Sequence, residues 1–420
     1  MLNSKFVYYL PILLLGMLWL IILGLYSLNP YNFIRVSHST LFILVIGILS
    51  IILGYIYVHA FKYDDYLLTT EDKARNNIIY TDVSIKTSII ITTLLGITGA
   101  FITILWLANT LGGMRIYELN PLLVRQASVE ITKVGSFTMY PVYTIGTYLI
   151  NFLFIGNILS GLYFGKKWIL YKSIPLVVSF IISGLLLQRM IIVTSFGLLF
   201  LSSAFSIYLL PYQQRRKISI PMTGAVLIIF CLLIGISYVI IKVRMFYLNN
   251  IFEIFLKSTY TYLVGTVSSL EMLLRKEIDY TYGEQSFRTI FKWLARLGFI
   301  QDFGQYKTHL GFVNIGRMHI NTYTFVRSLY MDYGIIGLTF VGFFWGALTR
   351  IIIGKFQKEY TLSYLFWAVI LTFSLLMSFY EFYFQGISRI IYWYLLVYLV
   401  EKLFLRPVNG NTMAGYEYSK

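Results

Sequence analysis

Apolar residues along the chain fall in long blocks, and polar residues gather between them. The blocks lie near 7–28, 41–61, 88–110, 137–160, 168–187, 190–210, 221–241, 329–353, 362–380 and 387–405. Each is close to the roughly 20 residues that cross a bilayer's hydrocarbon at helical rise. Backbone groups in lipid must pair within their own segment, so the blocks are expected to be helices. The pattern predicts an all-α, polytopic integral membrane protein with about ten transmembrane helices. The step at Gln188-Arg189 divides two blocks by a very tight connection. The first block lacks a small-residue cleavage site and reads as a retained helix.

One segment departs from this rhythm. From Lys242 to Arg327 the chain is mixed, with eleven Lys and Arg against six Asp and Glu. Within it, Leu248 to Ile278 carries apolar residues at helical spacing (Ile251, Ile254, Phe255, then Leu270, Leu273, Leu274). That pattern predicts an amphipathic helix lying on the membrane surface. Phe287 to Leu297 predicts a shorter one, with Arg288, Lys292 and Arg296 on one face and Phe287, Ile290, Phe291 and Leu294 on the other. A division into a transmembrane bundle (1–241), a loop with amphipathic helices (242–328) and C-terminal transmembrane helices with a short tail (329–420) follows.

Composition agrees, with 58% hydrophobic and only 12% charged residues in a chain of 420. A net charge of +16 would suggest nucleic acid in a soluble protein, but here the basic residues sit between apolar blocks and report topology. With the N-terminus inside, the inner connections hold about 17 Lys and Arg and the short outer ones only Arg35, Arg115, Arg125, Lys133 and Arg189. Both termini are therefore expected in the cytoplasm and the 242–328 segment outside.

Several chemistries are excluded by absence. No phosphate-binding Gly-rich loop ends in Lys-Ser or Lys-Thr, no His or Cys pairing has zinc spacing, and no Asp-x-Asp could hold a metal on a sugar nucleotide. Asp64-Asp65 is nearest and falls on the expected inner side, where a solvated loop explains it. No cofactor is implied, and Cys231, the sole cysteine, is inside an apolar block. Candidate chemistry concentrates outside. In Arg317-Met-His319-Ile-Asn321, an extended backbone would put Arg317, His319 and Asn321 on one side. Asn321 or Thr322 would then cap a helix whose first turns carry Arg327 and Asp332, and its N-terminus would suit an anion. Asp332 could equally pair with Arg327. Arg189, alone in a short outer turn, could snorkel to headgroups or offer its fork to a pyrophosphate. Glu381 and Arg389 flank the last outer turn, where a mutual ion pair is expected. His309 and His38 have no such company and read as structural.

The stretch His319-Ile-Asn321-Thr-Tyr323-Thr-Phe325, followed by Tyr330-Met-Asp332-Tyr-Gly334-Ile-Ile-Gly337, resembles the N-x-Y-T-F and D-F-G-x-x-G signature of bacterial oligosaccharide repeat-unit polymerases, the O-antigen polymerase (Wzy) family. It is also similar to the O-antigen ligases, which share a His-Asn step before a Gly-x-x-Gly helix. Arg189 matches an arginine those families carry between two central spans. Two positions depart: Tyr333 stands where Phe is common, and His319 is one residue further from Asn321 than in the ligase pair.

The resemblance implies a GT-C-type membrane glycosyltransferase with a lipid-linked donor and neither sugar nucleotide nor metal. Its partners would be undecaprenyl-pyrophosphate-linked glycan donor and acceptor in the lipid of a bacterial cytoplasmic membrane, with a chain-length regulator and a flippase nearby and no nucleic acid. On that footing Arg189, Arg288, Arg317 and Arg327 would neutralise the leaving pyrophosphate, and Tyr323 and Asn321 would orient sugar hydroxyls. His319 would be the first choice of general base, an imidazole being suited to proton transfer near neutrality, with Asp332 or Glu381 as alternatives. A ligase, or a flippase for the lipid-linked unit, are the rival functions.

Overall fold

A computed structural model describes residues 6–61, 80–115, 123–127, 140–164, 168–207, 235, 238, 242, 250–276, 280–300, 313–316, 318–359 and 361–405. Arg317, His309, Asp64-Asp65 and most of the expected span at 221–241 lie outside these residues. In chain order the helices are α1 (Phe6–Leu28), α2 (His38–Ala60), α3 (Asp82–Thr110), α4 (Pro141–Ile150), α5 (Phe152–Leu162), α6 (Trp168–Leu186), α7 (Arg189–Ile207), α8 (Ile251–Leu274), α9 (Arg288–Arg296), α10 (Val326–Glu359), α11 (Leu362–Leu376) and α12 (Ile387–Leu403). Two-residue strands β1 (Val313–Asn314) and β2 (His319–Ile320) pair antiparallel, Asn314 opposite His319. Eight helices among the described residues are long and apolar enough to cross a membrane, so the chain is an α-helical polytopic membrane protein.

The helix termini have local causes. Ser37, Thr81 and Thr361 cap α2, α3 and α11 by accepting from the backbone N–H three residues on. The tight step between α6 and α7 is a left-handed Leu187 (φ 51°), with Leu187 N–H donating to Gly184 O and Gln188 N–H to Ser183 O. This is the bonding that closes a helix in a Schellman turn, and it reverses the chain within two residues.

The chain folds into two compact units, each discontinuous: residues 1–75 with 256–394, and residues 76–255 with 395–420. The three consecutive blocks expected from sequence do not follow these units. In the first unit α2 and α10 approach so closely that a Cβ on Gly54 would lie 1.9 Å from Phe343 O, and one on Gly346 1.9 Å from Ile51 O. Gly342 and Gly346, four apart, open one face of α10 to that approach. Phe325 fills the interior between Trp19 and Trp345, at ring distances of 6.4 and 5.8 Å. Both indoles donate to serines of the α11 end, Trp19 to Ser378 and Trp345 to Ser374, each at 3.0 Å.

The expected helix over Leu248 to Ile278 is present as α8, but its surface placement is corrected. Every residue from Val264 to Glu271 is buried. Small polar residues make this possible by satisfying carbonyls of neighbouring non-helical segments: Ser268 donates to Ile34 O (2.9 Å) and Ser269 to Thr322 O (2.7 Å). Glu271 accepts from Ser37 N–H (2.8 Å), Ser37 Oγ (2.9 Å) and Arg275 Nε (2.7 Å), tying α8 to the start of α2. Burial alone would raise its carboxyl; the bonds from Thr40, Ser37 and Arg275 overcome that and hold it at about 2.

In the second unit, α3 to α7 bury a seam of Ser, Thr and Asn between small residues. Most hydroxyls donate back to their own helix, as Thr92 does to Ser88 O and Thr103 to Gly99 O. Pro175 in α6 has no N–H for Tyr171 O, which accepts instead from Ser160 Oγ at 3.2 Å.

Candidate functional site

The first unit concentrates its chemistry in the non-helical segments around the start of α10. Residues 321–325 run without helix beside the end of α11, fixed by Phe325 N–H donating to Ser378 O at 2.8 Å. The expected caps are therefore corrected: α10 begins at Val326, so neither Asn321 nor Thr322 caps it, and Arg327 lies in its first turn. The core position taken by Phe325 forces that delay, because the backbone must stay extended to deliver the ring inward.

Asp332 is fully buried, and its carboxylate is committed to the turn that precedes α9. Oδ1 accepts from Thr281 Oγ1 and from Gln285 N–H (3.0 Å), and Oδ2 from Ser286 N–H (2.6 Å). Thr281 N–H donates to Met331 O at 3.0 Å. The turn needs a left-handed Tyr282 (φ 45°) and Gly283 (φ 106°), and α10 itself breaks at Gly334 (φ 63°, ψ −158°). With three protein donors on a carboxylate shut off from solvent, the expectation that Asp332 is a general base gives way to an anchoring role. What it anchors is the segment that delivers Arg288.

Around that anchor five of the expected residues come together. The Arg327 guanidinium lies 4.5 Å from the centre of the Tyr323 ring and within electrostatic reach of Arg288 and Glu381. Glu381 in turn feels Arg389, and its Oε2 accepts from Gln385 Nε2 at 3.2 Å. Thr289 of α9 donates to Gln385 O at 3.1 Å, closing the group from the other side. Burial pushes the Glu381 carboxyl above the usual carboxylate range, with Arg389 and Arg327 acting against that shift. Burial draws the Arg288 guanidinium down, with Glu284 opposing.

Other residues near this group escaped sequence reading. Gln285 Nε2, Ser286 Oγ, Thr322 Oγ1, Tyr323 Oη and Thr324 Oγ1 are buried and have no hydrogen-bond partner among the described residues. Native interiors hold few such atoms, each costing about 1–3 kcal/mol. Tyr323 was expected as a sugar contact and Thr322 as a possible cap; Gln285, Ser286 and Thr324 gave no signal beyond their adjacency to Arg288 and Arg327.

The remaining candidates fall elsewhere. His319 and Asn321 are both exposed, with Ile320 and Thr322 buried between and after them, as the expected alternation requires. Arg317, the third of that set, is outside the described residues. Arg189 is the first residue of α7 in the second unit, half-buried behind the Leu187 turn. His38 is exposed as the first residue of α2. Comparison with protein-family models, with curated proteins and with solved structures finds no match to this chain.

Proposed function

We propose that the chain is a repeat-unit polymerase, joining polyprenyl-pyrophosphate-linked oligosaccharides at the outer leaflet of a bacterial cytoplasmic membrane. In this reading the chain makes about ten crossings, its termini are cytoplasmic, and residues 242–328 and 377–386 face outward. The acceptor's terminal hydroxyl attacks the anomeric carbon of the donor glycan. The bond from that carbon to the pyrophosphate oxygen breaks, a glycosidic bond forms, and the lipid pyrophosphate departs with the bonding electrons. The acceptor's proton passes to a base on the protein.

The grouping of three arginines with two carboxylates carries this reading: Arg327 is within reach of Arg288 and Glu381, Arg288 of Glu284, and Arg389 of Glu381. Arg288 and Arg327 are half-buried and within reach of one another, and a bound dianion would offset that like-charge repulsion. Fixed cations aimed at a developing pyrophosphate are usually the largest catalytic contribution, and removing one donor typically lowers the rate about 100- to 1000-fold. Arg189 and Arg317 are proposed for the same anion. For the proton, Glu381 stands inside the charged group while His319 stands on an exposed strand, so Glu381 is the favoured base and His319 the alternative.

The test is the length distribution of surface polysaccharide in a strain lacking the chain. Single repeat units capping the lipid, restored to long chains by the wild-type protein, are expected. Long chains accumulating on the polyprenyl carrier would make it a ligase, and loss of all surface glycan a flippase.

A further inference from the structure

The sequence puts the apolar face of α9 at Phe287, Ile290, Phe291 and Leu294, and in the structure that face is half-buried. A different set faces outward: Trp293 is 44% exposed, Leu297 71% and Phe299 75%. Trp293 and Leu297, four apart, stand on one row of the helix. Phe299 joins them through the closing turn, where Gly298 is left-handed (φ 80°) and Phe299 N–H donates to Leu294 O at 2.9 Å. The patch is therefore held by backbone bonds. Its setting is basic, since α9 reads Arg-Thr-Ile-Phe-Lys-Trp-Leu-Ala-Arg with no acidic residue, and Lys292 is exposed beside Trp293.

The start of α10 gives the depth of this patch. From Thr322 to Gly334 no residue is exposed, whereas from Ile335 onward the helix turns apolar side chains outward, with Ile336 81% exposed. The apolar span Val326–Gln357 has 32 residues and would run about 48 Å at helical rise, too long for the roughly 30 Å of a bilayer's hydrocarbon. Counted from Ile335 it runs about 34 Å, which fits. The break at Gly334 thus marks where hydrocarbon begins. The segment before α9 is fastened at that level, because Asp332 accepts from the Gln285 and Ser286 N–H groups. A Cβ on Gly283 would lie 2.5 Å from Tyr333 Oη and 3.0 Å from Phe291 Cε2, so Phe291 of α9 and Tyr333 of α10 close on the same turn.

We infer that Trp293, Leu297 and Phe299 form a membrane anchor, seated in the headgroup layer of the leaflet where α10 enters hydrocarbon. The chemistry suits that layer: an indole rests at headgroup depth, apolar tips reach the acyl boundary, and a cation meets anionic phosphates. Interfacial helices bury their apolar side about 5–10 Å into this boundary. The anchor fixes the far end of the helix that Arg288 begins, about 13 Å away along the axis. It therefore sets the height of that guanidinium above the bilayer.

The experiment places a nitroxide on the full-length chain in nanodiscs of equal parts phosphatidylglycerol and phosphatidylcholine. Cys231→Ser removes the sole cysteine, and Leu297→Cys or Phe299→Cys supplies one labelling site each. Both side chains are exposed, and either site decides the question should the other labelled protein fail to fold. Ile336→Cys on the outward side of α10 is the lipid reference, and Asn314→Cys on the exposed side of β1 is the water reference. Relaxation by oxygen, which concentrates in lipid, is compared with relaxation by a water-soluble nickel chelate. Oxygen should be favoured at 297 and 299 as it is at 336, at a shallower depth, with the ratio inverted at 314. A ratio favouring nickel at either site would put the patch in water and overturn the anchor. A label that neither reagent reaches would overturn it too, by showing cover from protein, and dipolar coupling between labels would identify a second copy as that cover. The nitroxide reports depth and not turnover, so this result stands or falls apart from the polymerase reading.

Discussion

Both units bury many polar side chains, and they differ in how many of these lie outside helices. In the second unit the groups sit within helices and are mostly consumed there: Ser88, Thr93, Ser160 and Ser179 each return a hydrogen bond to a carbonyl four residues back. The one buried cation among its described residues, Lys172, is held by Gly161 O at 3.0 Å and Ser203 Oγ at 3.1 Å. Such a seam lets helices pack closely in lipid, where the hydrophobic effect supplies no helix-to-helix attraction. In the first unit α2 and α10 pack through glycine, and some helical Ser and Thr bond their own carbonyls, as Thr349 and Thr372 do. Beside these a further set lies on connections, where Gln285 Nε2, Ser286 Oγ, Thr322 Oγ1 and Thr324 Oγ1 have no hydrogen-bond partner among the described residues. A helix occupies its own polar groups; a connection pinned at its ends can hold them open for something else.

The sharpest way to break this contrast is at the glycines. Gly346→Leu would drive a side chain into the Ile51 carbonyl, and the first unit should fail to assemble, seen as loss of the monodisperse peak in detergent chromatography. Gly184→Leu in α6 has nothing within 4 Å of its new Cβ and should chromatograph as wild type. Equal tolerance at both positions would contradict the close approach of α2 and α10.

A smaller but more specific effect is expected at Glu381. As the base it must be ionised, and its carboxyl titrates above the ordinary range, so kcat/KM should fall as pH drops through a point higher than about 4.3, the usual glutamate value. Glu381→Gln should lower turnover about 100- to 10,000-fold and abolish that acid limb. His319→Gln should retain it. A reversed pattern would return the base to His319.

The smallest effects compare one polar anchor from each unit by thermal melting. Asp332→Asn forces an amide onto backbone donors and should cost about 1–3 kcal/mol. Ser195→Ala removes one hydroxyl pair, Ser195 to Ser179 at 2.9 Å, and should cost less than about 1 kcal/mol. Equal losses would erase the distinction between a pinned connection and a helix seam.

Local features were legible because periodicity and turn chemistry act over a few residues. Apart from the block at 221–241, most of which lies outside the described residues, the apolar blocks fall on α1 to α7 and α10 to α12, the tight step at Gln188 is a real turn, and α9 spans Arg288–Arg296 where Phe287 to Leu297 was expected. Burial of α8 was not legible, since Ser268 and Ser269 look hydrophilic until their carbonyl partners are known. The two units were hidden for a related reason: Gly54 meets Phe343 and Gly346 meets Ile51 from far along the chain, and no local pattern records such meetings. At the site, Arg288, Arg327, Glu381 and Arg389 were named from charge and position, and Tyr323 through the family resemblance. The role of Asp332 was missed because two of its three donors are backbone N–H groups 46 and 47 residues earlier, which carry no side-chain identity to read, and the third is Thr281, a common residue type.

The discontinuous first unit also sets an order of manufacture. α1 and α2 are synthesised early, yet the helix that covers the Gly47 and Gly54 face of α2 begins only at Val326. At about 5–20 residues per second, the ribosome needs roughly 15–50 s to make the chain between Ala60 and that helix. Throughout that interval the second unit's helices are emerging, while the glycine face of α2 waits in lipid for its partner. Assembly of the first unit, and of every group fastened to the start of α10, is thus among the last events in the protein's biogenesis.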